Sequence, residues 1–178
     1  MWARYGDCRI ELVQGDITLQ DTDAIVNAAN ARLAGGGGVD GAVHVAWGPG
    51  LLQETEKRYP NGCATGEAVV TGPGRLKARI LIHAVGPVWR GGQKDESRDL
   101  AAAYRRSLEL AVENDCRSIA FPAISTGAYG YPTDLAARIS LDQSRDFLVE
   151  HGLPERIRFV LFDAGDFGAY ARILESMT

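Results

Sequence analysis

A run of four glycines, Gly35–Gly38, is followed at once by a carboxylate, Asp40, and one helical turn later by His44. Glycine loses more conformational freedom on folding than any other residue, so this run is expected where the backbone approaches a ligand closely. Backbone N–H groups at the start of a helix bind phosphate, and an adjacent carboxylate can act as a general base towards water. The spacing therefore predicts a phosphate-binding turn with Asp40 and His44 on one face of the helix that follows.

Simpler interpretations compete with this one. Four glycines also suit a flexible connector, and Asp40 also suits a helix N-cap or a partner of the helix dipole. A single histidine on a helix is more often a packing residue than a catalyst. The glycines lead directly into a helical pattern and a carboxylate, neither of which a connector needs, and this favours the ligand site. The turn lacks the Gly-Lys-Ser/Thr ending of a P-loop and the spacing of the dinucleotide fingerprint.

Other polar and aromatic side chains stand in or at the ends of predicted strands. Asn30 has two donors and an acceptor for sugar hydroxyls, whereas Asn27 looks the more structural of the two. Asp16 fits either a turn cap or an acceptor for the exocyclic amine of adenine. Phe162 is a core residue by default, although an aromatic ring at the end of a strand can stack on a base. His83 lies within a predicted strand and is interpreted as an interior histidine with satisfied hydrogen bonds.

A second turn, "STGAYGYP" at residues 125–132, also combines glycine with small polar residues in front of a helix. By itself it fits an ordinary turn equally well. If it lies beside the first turn, it supplies a second wall of backbone donors, and two such walls suit a diphosphate better than a single phosphate. Tyr129 could then lay its ring against a sugar or a base.

The elements that would position these turns alternate along the chain. We predict strands at 8–16, 23–30, 66–72, 78–86, 117–125 and 156–165, and helices at 39–48, 50–59, 97–114, 133–152 and the C-terminus. In the helix at 97–114, Ser97 is the expected cap. This order predicts an α/β fold, a three-layer α/β/α sandwich with a central mixed, mostly parallel sheet. Ligands bind at the carboxyl ends of such strands, so both turns are expected on one rim.

Composition limits the possible functions. The 178 residues suit one domain, 1–178, and the net charge of -4 does not favour general nucleic-acid binding or a membrane surface. Without a Lys/Arg cluster, backbone groups would have to hold an anionic ligand. No signal-peptide or membrane-span pattern is present, so a cytoplasmic monomer is expected. Cys8, Cys63 and Cys116 are widely spaced, and no His/Cys/carboxylate spacing predicts a metal site or a cofactor.

The same segments resemble the macrodomain family, and within it the MacroD type. They follow the family's order over nearly the whole chain: "GDIT" (15–18), "DAIVNAAN" (23–30), "GGGGVDGAVH" (35–44), "GCATGEAVVTG" (62–72), "IHAVGP" (82–87), "AFPAISTGAYGYP" (120–132) and "FVLFD" (159–163). The resemblance implies a single macrodomain that binds ADP-ribose at the rim of the sheet. A diphosphate follows from the turns, whereas ADP-ribose as the ligand follows from the resemblance.

The resemblance also implies roles for individual residues. Asp16 would bind the adenine amine, with the Ile17 amide and the Phe162 ring nearby. The diphosphate and distal ribose would be enclosed by backbone groups from both turns: Gly37, Gly38, Val39, Ser125, Thr126, Gly127, Ala128 and Tyr129. Asn30 would hold hydroxyls of the distal ribose, next to Asp40. Asp40, Asn30 and His44 together would form the catalytic set.

MacroD-type members remove O-acetyl groups from ADP-ribose and mono-ADP-ribose from acidic side chains. The resemblance therefore implies an ADP-ribosyl-ester hydrolase that acts without a metal, with ADP-ribosylated proteins or O-acetyl-ADP-ribose as partners. Ligand residues of the zinc-dependent branch are not found, and the acidic pair of the poly-ADP-ribose glycohydrolase is reduced to Asp40. The alternative is a reader module that binds ADP-ribose without cleaving it; the trio of Asn30, Asp40 and His44 favours the enzyme.

Overall fold

The computed structural model describes residues 1–178 and contains seven strands, five α-helices and a short 3-10 turn at Ile17–Leu19. The strands are β1 (Trp2–Tyr5), β2 (Cys8–Gln14), β3 (Ala24–Ala29), β4 (Ala68–Thr71), β5 (Ile80–Val85), β6 (Ser118–Phe121) and β7 (Arg156–Leu161). The helices are α1 (Gly38–Trp47), α2 (Leu51–Arg58), α3 (Glu96–Glu113), α4 (Thr133–His151) and α5 (Ala164–Ser176).

All seven strands form one sheet in the order β1-β2-β7-β6-β3-β5-β4. The pairs from β2 to β5 are parallel, and the two edge strands, β1 and β4, are antiparallel to their neighbours. The prediction of a mixed, mostly parallel sheet is therefore confirmed. Strand β3 is almost continuously buried, as expected for a central strand that is covered on both faces.

Helices cover both faces of the sheet and give the predicted three layers. Helices α3, α4 and α5 pack on one face, where Tyr104, Phe121, Phe159 and Tyr170 form a buried aromatic cluster with ring centroids 5.0–6.0 Å apart. Helices α1 and α2 cover a smaller apolar cluster on the other face, to which Val43 and Leu51 contribute. None of the helices combines the length and the apolar composition needed to cross a bilayer.

At the centre of the sheet, the connections that follow two neighbouring strands leave towards opposite faces. After β3 the chain passes to α1 on one face, whereas after β6 it passes to α4 on the other face. Since β3 and β6 are neighbouring parallel strands, their carboxyl ends open a crevice between the two connections. In open α/β sheets, ligands bind at such a switch point. The two turns singled out in the sequence are these two connections.

Several predicted boundaries were wrong. Strand β1 was not predicted; it pairs with β2 through a turn in which Gly6 has φ 63°. Strand β6 ends at Phe121, and the residues up to Ser125 leave the sheet. Ser97 is not the cap of α3, because the helix already begins at Glu96. The buried carboxylate of Glu96 accepts N–H bonds from Arg90, Gly92 and Lys94, which fixes the approach of the chain to the helix.

Candidate functional site

A cleft of about 380 Å³ opens at the carboxyl ends of β3 and β6. It is lined by the ends of these strands, by both turns and by Gly86 after β5, namely Ala28, Ala29, Asn30, Gly36, Gly37, Gly38, Val39, Asp40, Gly86, Ala123, Ile124, Ser125, Gly127, Ala128 and Tyr129. No lysine or arginine is among these residues. Any anion in the cleft must therefore be held by backbone and neutral groups.

The first turn presents a row of backbone donors to the cleft. The N–H groups of five consecutive residues, from Gly36 to Asp40, donate to no acceptor in the protein. Helix α1 starts within this row, and its N-cap, Gly37, has no side chain to occupy the first N–H groups. Gly35 and Gly38 have φ values of 76° and 57°, which explains why glycine is required at both. This arrangement is the one that binds phosphate at helix N-termini.

The second turn presents a similar row. The N–H groups from Ser125 to Tyr129 also donate to no acceptor in the protein. Ser125 is buried with φ 70°, an uncommon conformation for a residue other than glycine. The turn is closed by the bond from the Tyr131 N–H to the Ser125 carbonyl, at 2.9 Å. Residues of both rows line the cleft, so the two turns share one rim of the sheet, as predicted.

Asp40 lies at the inner end of the cleft and is 6% exposed. Its Oδ1 accepts a hydrogen bond from Asn27 Nδ2 at 2.8 Å and lies 3.3 Å from His44 Nε2. Its Oδ2 makes no hydrogen bond within the protein and faces Gly36, where a Cβ would lie 3.5 Å away. One carboxylate oxygen is thus anchored and the other is directed to the lining of the cleft. Asp40 is not the side-chain cap of α1, but it stands in the first turn of the helix, where a carboxylate interacts favourably with the helix dipole.

A chain of buried polar side chains continues behind Asp40. Asn27 Nδ2 also lies 3.2 Å from His83 Nδ1, and His83 Nε2 lies 2.9 Å from Thr71 Oγ1. Asn27, His83 and Thr71 are each no more than 1% exposed. Burial, and secondarily the charge of His44, lowers the pKa of His83 to about 4, so its ring is neutral near pH 7. The interpretation of His83 as a hydrogen-bonded interior histidine agrees with this geometry.

Asn30 holds the first turn in shape. Its Nδ2 donates to the Gly35 carbonyl at 2.9 Å, and its Oδ1 accepts from the Ala34 N–H at 3.2 Å. An amide side chain offers two donor hydrogens and two acceptor positions, so one of each stays available at the cleft. The structure therefore gives Asn30 a supporting role for the turn alongside the predicted contact with ribose.

The residues predicted to bind adenine lie at the ends of β2 and β7, outside the cleft lining. Asp16 caps the 3-10 turn, with Oδ1 accepting from the Thr18 N–H and hydroxyl at 2.8 and 2.7 Å. Its Oδ2 makes no hydrogen bond in the protein, which leaves an acceptor for another donor. Phe162 is 81% exposed, so its default interpretation as a core residue was wrong. Ile17, by contrast, is buried.

The structure brings most of the predicted residues together. Gly37, Gly38, Val39, Asp40, Asn30, Ser125, Gly127, Ala128 and Tyr129 line one cleft. Five others do not line it. Thr126 lies in the second turn with its hydroxyl bonded to the Ala123 carbonyl, and His44 contacts Asp40 Oδ1 from the same helix. Asp16, Ile17 and Phe162 lie near the ends of β2 and β7.

Sequence reasoning missed Gly86 and the support of the second turn. A Cβ at Gly86 would collide with Ser125 Oγ and Ile124 Cγ2. The end of β5 can therefore lie this close to the second turn only if residue 86 is glycine. Glycine directly after a buried strand was the signal for it. The hydroxyl of Tyr104 on α3 accepts from the Ile124 N–H and donates to the Pro122 carbonyl. No local pattern in the sequence indicates that contact.

A second hollow of about 490 Å³ lies at the opposite edge of the sheet, where β2, β6 and β7 begin. Its charged side chains, which include Arg117 and Glu155, largely pair with one another. It is larger than the cleft, but it lacks both a helix N-terminus and a row of free backbone donors. None of the residues predicted to bind the ligand lines this second hollow.

Comparison with known proteins agrees with this geometry. A model of the Macro domain family matches residues 26–140. An O-acetyl-ADP-ribose deacetylase of Salmonella newport is 52% identical over 168 residues, which cover 93% of this chain and 94% of the relative. The Oceanobacillus iheyensis macrodomain with ADP superposes with a TM-score of 0.94 at 42% identity, covering 99% of this chain and 95% of that chain. A Trypanosoma brucei macrodomain in complex with ADP-ribose has a TM-score of 0.85 at 44% identity, covering 93% and 68% of the two chains.

The family model thus spans more than half of the chain, and relatives about half identical to it extend over nearly all of its length. The motifs on which the resemblance rests are the two turns and the strands that carry them. Together with the fold, these matches show that the chain belongs to the macrodomain family, as its motifs predict.

Proposed function

We propose that this chain is an ADP-ribose-binding hydrolase that cleaves ester-linked groups from the distal ribose. The proposal covers mono-ADP-ribose on aspartate or glutamate side chains and the acetyl group of O-acetyl-ADP-ribose. Relatives that carry the name O-acetyl-ADP-ribose deacetylase over 93% of the chain support the hydrolase activity. Related macrodomains crystallised with ADP and ADP-ribose support the ligand.

One observation carries the proposal. Two rows of unbonded backbone N–H groups face a cleft that holds no lysine or arginine, and a single carboxylate, Asp40, is directed into the same cleft. Backbone dipoles at a helix N-terminus suit the two phosphates of a nucleotide diphosphate sugar. A carboxylate beyond them then meets the terminal ribose. A module that only binds ADP-ribose would not need Asp40 held by both Asn27 and His44.

The mechanism that we propose uses only groups of the chain and the substrate. The two turns bind the diphosphate and bring the ribose ester against Asp40, which lowers the entropic part of the barrier. Asp40 Oδ2, alone or with a substrate phosphate, accepts a proton from water as the oxygen attacks either the ester carbonyl or the anomeric carbon. The C–O bond to the leaving oxygen breaks, this oxygen takes up the proton from Asp40, and ADP-ribose and a free carboxylic acid leave with the Asp40 carboxylate regenerated. His44 steadies Asp40 Oδ1 during the transfer.

Release of ADP-ribose from a protein modified on aspartate or glutamate tests the proposal, with O-acetyl-ADP-ribose as a second substrate. The wild type should release the label. Asp40→Ala should lose at least 100-fold in rate, as expected for a lost general base, while its affinity for ADP-ribose stays within about threefold, because the backbone donors remain. Val45→Ala serves as the control, since Val45 lies on the same helix, is 84% exposed and is not in the cleft lining.

Two results would contradict the proposal. Tight ADP-ribose binding by the wild type without release from either substrate would make the chain a reader. Undiminished release by Asp40→Ala would remove the assigned base. We further propose that residues 1–178 act as a single, monomeric macrodomain in the cytoplasm, which agrees with one continuous sheet and three buried cysteines that form no disulfide.

A further inference from the structure

We propose that Asn27 and His83 are positioning residues that orient the Asp40 carboxylate, so that Oδ1 is anchored and Oδ2 is the proton acceptor. The inference rests on the proposed hydrolase function and assigns roles to two side chains that never reach the cleft. It is carried by the continuous chain of contacts from Asp40 through Asn27 and His83 to Thr71.

The location of these residues is the first argument. Asn27 and His83 are paired neighbours on β3 and β5, on the face of the sheet that α1 covers. The residues two positions before them on each strand, Ile25 and Leu81, are fully buried apolar side chains of the same face. Polar groups buried in such a face weaken folding unless they are bonded. Their presence at the register position beneath Asp40 therefore points to a role in the site.

The direction of each hydrogen bond is the second argument. An ionised carboxylate only accepts, so the group of Asn27 that faces Asp40 Oδ1 must be the NH₂. The second hydrogen of the same NH₂ then points to His83 Nδ1, which must be an acceptor. His83 consequently carries its proton on Nε2 and donates to Thr71 Oγ1, which donates to the Gly72 carbonyl. Each donor hydrogen in this series of hydrogen bonds, from Asn27 to Thr71, therefore has one acceptor.

An unsatisfied atom is the third argument. Asn27 Oδ1 is buried and has no partner. Rotating the amide would aim this oxygen at His83 or Asp40, where one acceptor would meet another, so the amide is fixed in one orientation. A leucine at this position would remove the unsatisfied Oδ1, but it would leave both Asp40 Oδ1 and His83 Nδ1 without the donor that Asn27 supplies. The retained asparagine is explained by the donor that it supplies.

The electrostatic environment agrees with a neutral His83. Burial is the largest cause of its lowered pKa, of about 4, and the charge of His44 on α1 contributes in the same direction. A protonated ring would present N–H at both nitrogens and could not accept from Asn27. His83 therefore keeps the required acceptor at neutral pH. His44 approaches Asp40 Oδ1 from the other side, so two groups hold one oxygen.

Three variants test this positioning role. In His83→Leu the acceptor is lost, whereas in His83→Asn the side-chain Oδ1 stands about where the ring Nδ1 stood and can accept from Asn27. Ile82→Val is the control, because Ile82 is the adjacent buried residue on the opposite face of β5 and loses one methylene. Each variant is assayed for ester hydrolysis and for ADP-ribose binding.

We expect His83→Leu to lower kcat by roughly tenfold to a hundredfold, the size of effect that a displacement of about 1 Å near a reacting group produces. The KM and the Kd for ADP-ribose should change by less than about threefold, since the two turns are intact. His83→Asn should recover most of kcat, and Ile82→Val should match the wild type. If His83→Leu does not fold, His83→Gln replaces it, because its longer side chain keeps a donor for Thr71 and no acceptor near Asn27.

A measurement independent of activity separates the two proposals. Nitrogen-15 NMR of the histidine rings at pH 7 should show His83 as the neutral Nε2–H tautomer. If the wild type does not hydrolyse either ester, the proposed function fails, while the tautomer still tests the positioning chain. The inference is overturned if His83 is charged or carries its proton on Nδ1. It is also overturned if His83→Leu keeps wild-type kcat, or if the leucine and asparagine variants are equally impaired.

Discussion

The two oxygens of the Asp40 carboxylate have different surroundings. Oδ1 is held by Asn27 from the sheet and by His44 from the same helix, whereas Oδ2 faces Gly36 at the cleft. A freely rotating carboxylate would present both oxygens in turn and lose the advantage of a fixed geometry. The asymmetry of its contacts therefore matters more for the proposed chemistry than the mere presence of an acid.

Gly127 gives a prediction at the scale of one residue. It lies in the row of free N–H groups, and a Cβ added there would meet nothing within 4 Å. Gly127→Glu should therefore fold normally, yet place a negative charge beside the diphosphate and weaken ADP-ribose binding. At separations of about 5 Å and partial screening, the repulsion corresponds to tenfold to a hundredfold in Kd. Titration calorimetry at low salt measures the loss.

Gly127→Gln is the matched control, because it has almost the same size and no charge. The difference between the two variants isolates the charge, and it should shrink as salt is raised. Equal losses of ADP-ribose affinity in the two variants would mean that the size of the side chain, and not its charge, weakens binding. No loss in either would place the diphosphate elsewhere.

At the scale of elements, the two helices that border the cleft both begin without a side-chain cap. Gly37 precedes α1, and Pro132 precedes α4. A Ser, Thr, Asp or Asn cap would satisfy one or two of the first N–H groups of a helix. In α1 these groups remain directed to the cleft, and α4 instead follows a turn that supplies its own row of donors. Helices α2 and α3 also begin without a side-chain cap, and only α5 among the α-helices has one, with Asp163 accepting from the Asp166 N–H, so it is the position of α1 at the cleft that makes its free N–H groups relevant.

Tyr104 supplies a prediction about how one element shapes another. Its buried hydroxyl on α3 binds both the Pro122 carbonyl and the Ile124 N–H, which begin the second turn. Tyr104→Phe should leave both backbone groups buried and unbonded, at a cost of about 1–3 kcal/mol in the free energy of unfolding. ADP-ribose affinity should fall as well, because the second turn loses its anchor.

The control for this prediction is Ser107→Ala, three residues further along α3. Ser107 is equally buried, but it bonds only to the Ala103 carbonyl of its own helix. It should lose little stability and no affinity. If Tyr104→Phe is destabilised without any change in Kd, the hydroxyl supports the core and not the turn.

The elements themselves were predictable where periodicity decides them. Leu100, Tyr104, Leu108 and Ala111 share one face of α3, and all four are fully buried. The end of β6 is signalled by Pro122, since proline cannot donate to the strand ladder, although "AFPAIS" remains apolar after the chain leaves the sheet at Phe121. Apolar character there serves the lining of the cleft, where Ala123 and Ile124 lie, and a pattern of hydropathy cannot separate a strand from such a lining.

At the scale of the whole molecule, the net charge of -4 does not attract an anionic ligand. Local dipoles must overcome that field, and the seven-stranded sheet brings two rows of them to the same rim. The fold therefore performs the function that a cluster of arginines performs in other phosphate sites. His83, which belongs to the buried polar network behind Asp40, lies in the same sheet, so its protonation affects the stability of the molecule as a whole.

His83 gives the prediction at this scale. Burial lowers the pKa of His83 from 6.5 to about 4, so between these values the unfolded chain binds a proton that the folded chain does not. The free energy of unfolding should therefore rise with pH across this window. At about 1.4 kcal/mol per pH unit, the shift should lower the free energy of unfolding by about 3 kcal/mol as the pH falls from 6.5 to 4.

Urea unfolding at a series of pH values between 4 and 7 measures this slope. The quantity to follow is the free energy of unfolding of the wild type minus that of His83→Asn, because the two proteins share every other ionisable group. The difference should carry the slope of one histidine. A difference that is flat with pH would mean that His83 titrates alike in the folded and unfolded chain.

Local sequence alone determined the α/β class, the two glycine-containing turns and the acid that follows the first of them, because these depend on backbone freedom and periodicity within a few residues. The contacts between Asn27 and His83 and between Tyr104 and the second turn join residues that are far apart in the chain. So does the close approach of Gly86 to Ser125. Only the tertiary structure determined these contacts, because strand register and helix packing set which distant side chains meet. Neither register nor packing can be predicted from a short segment of sequence.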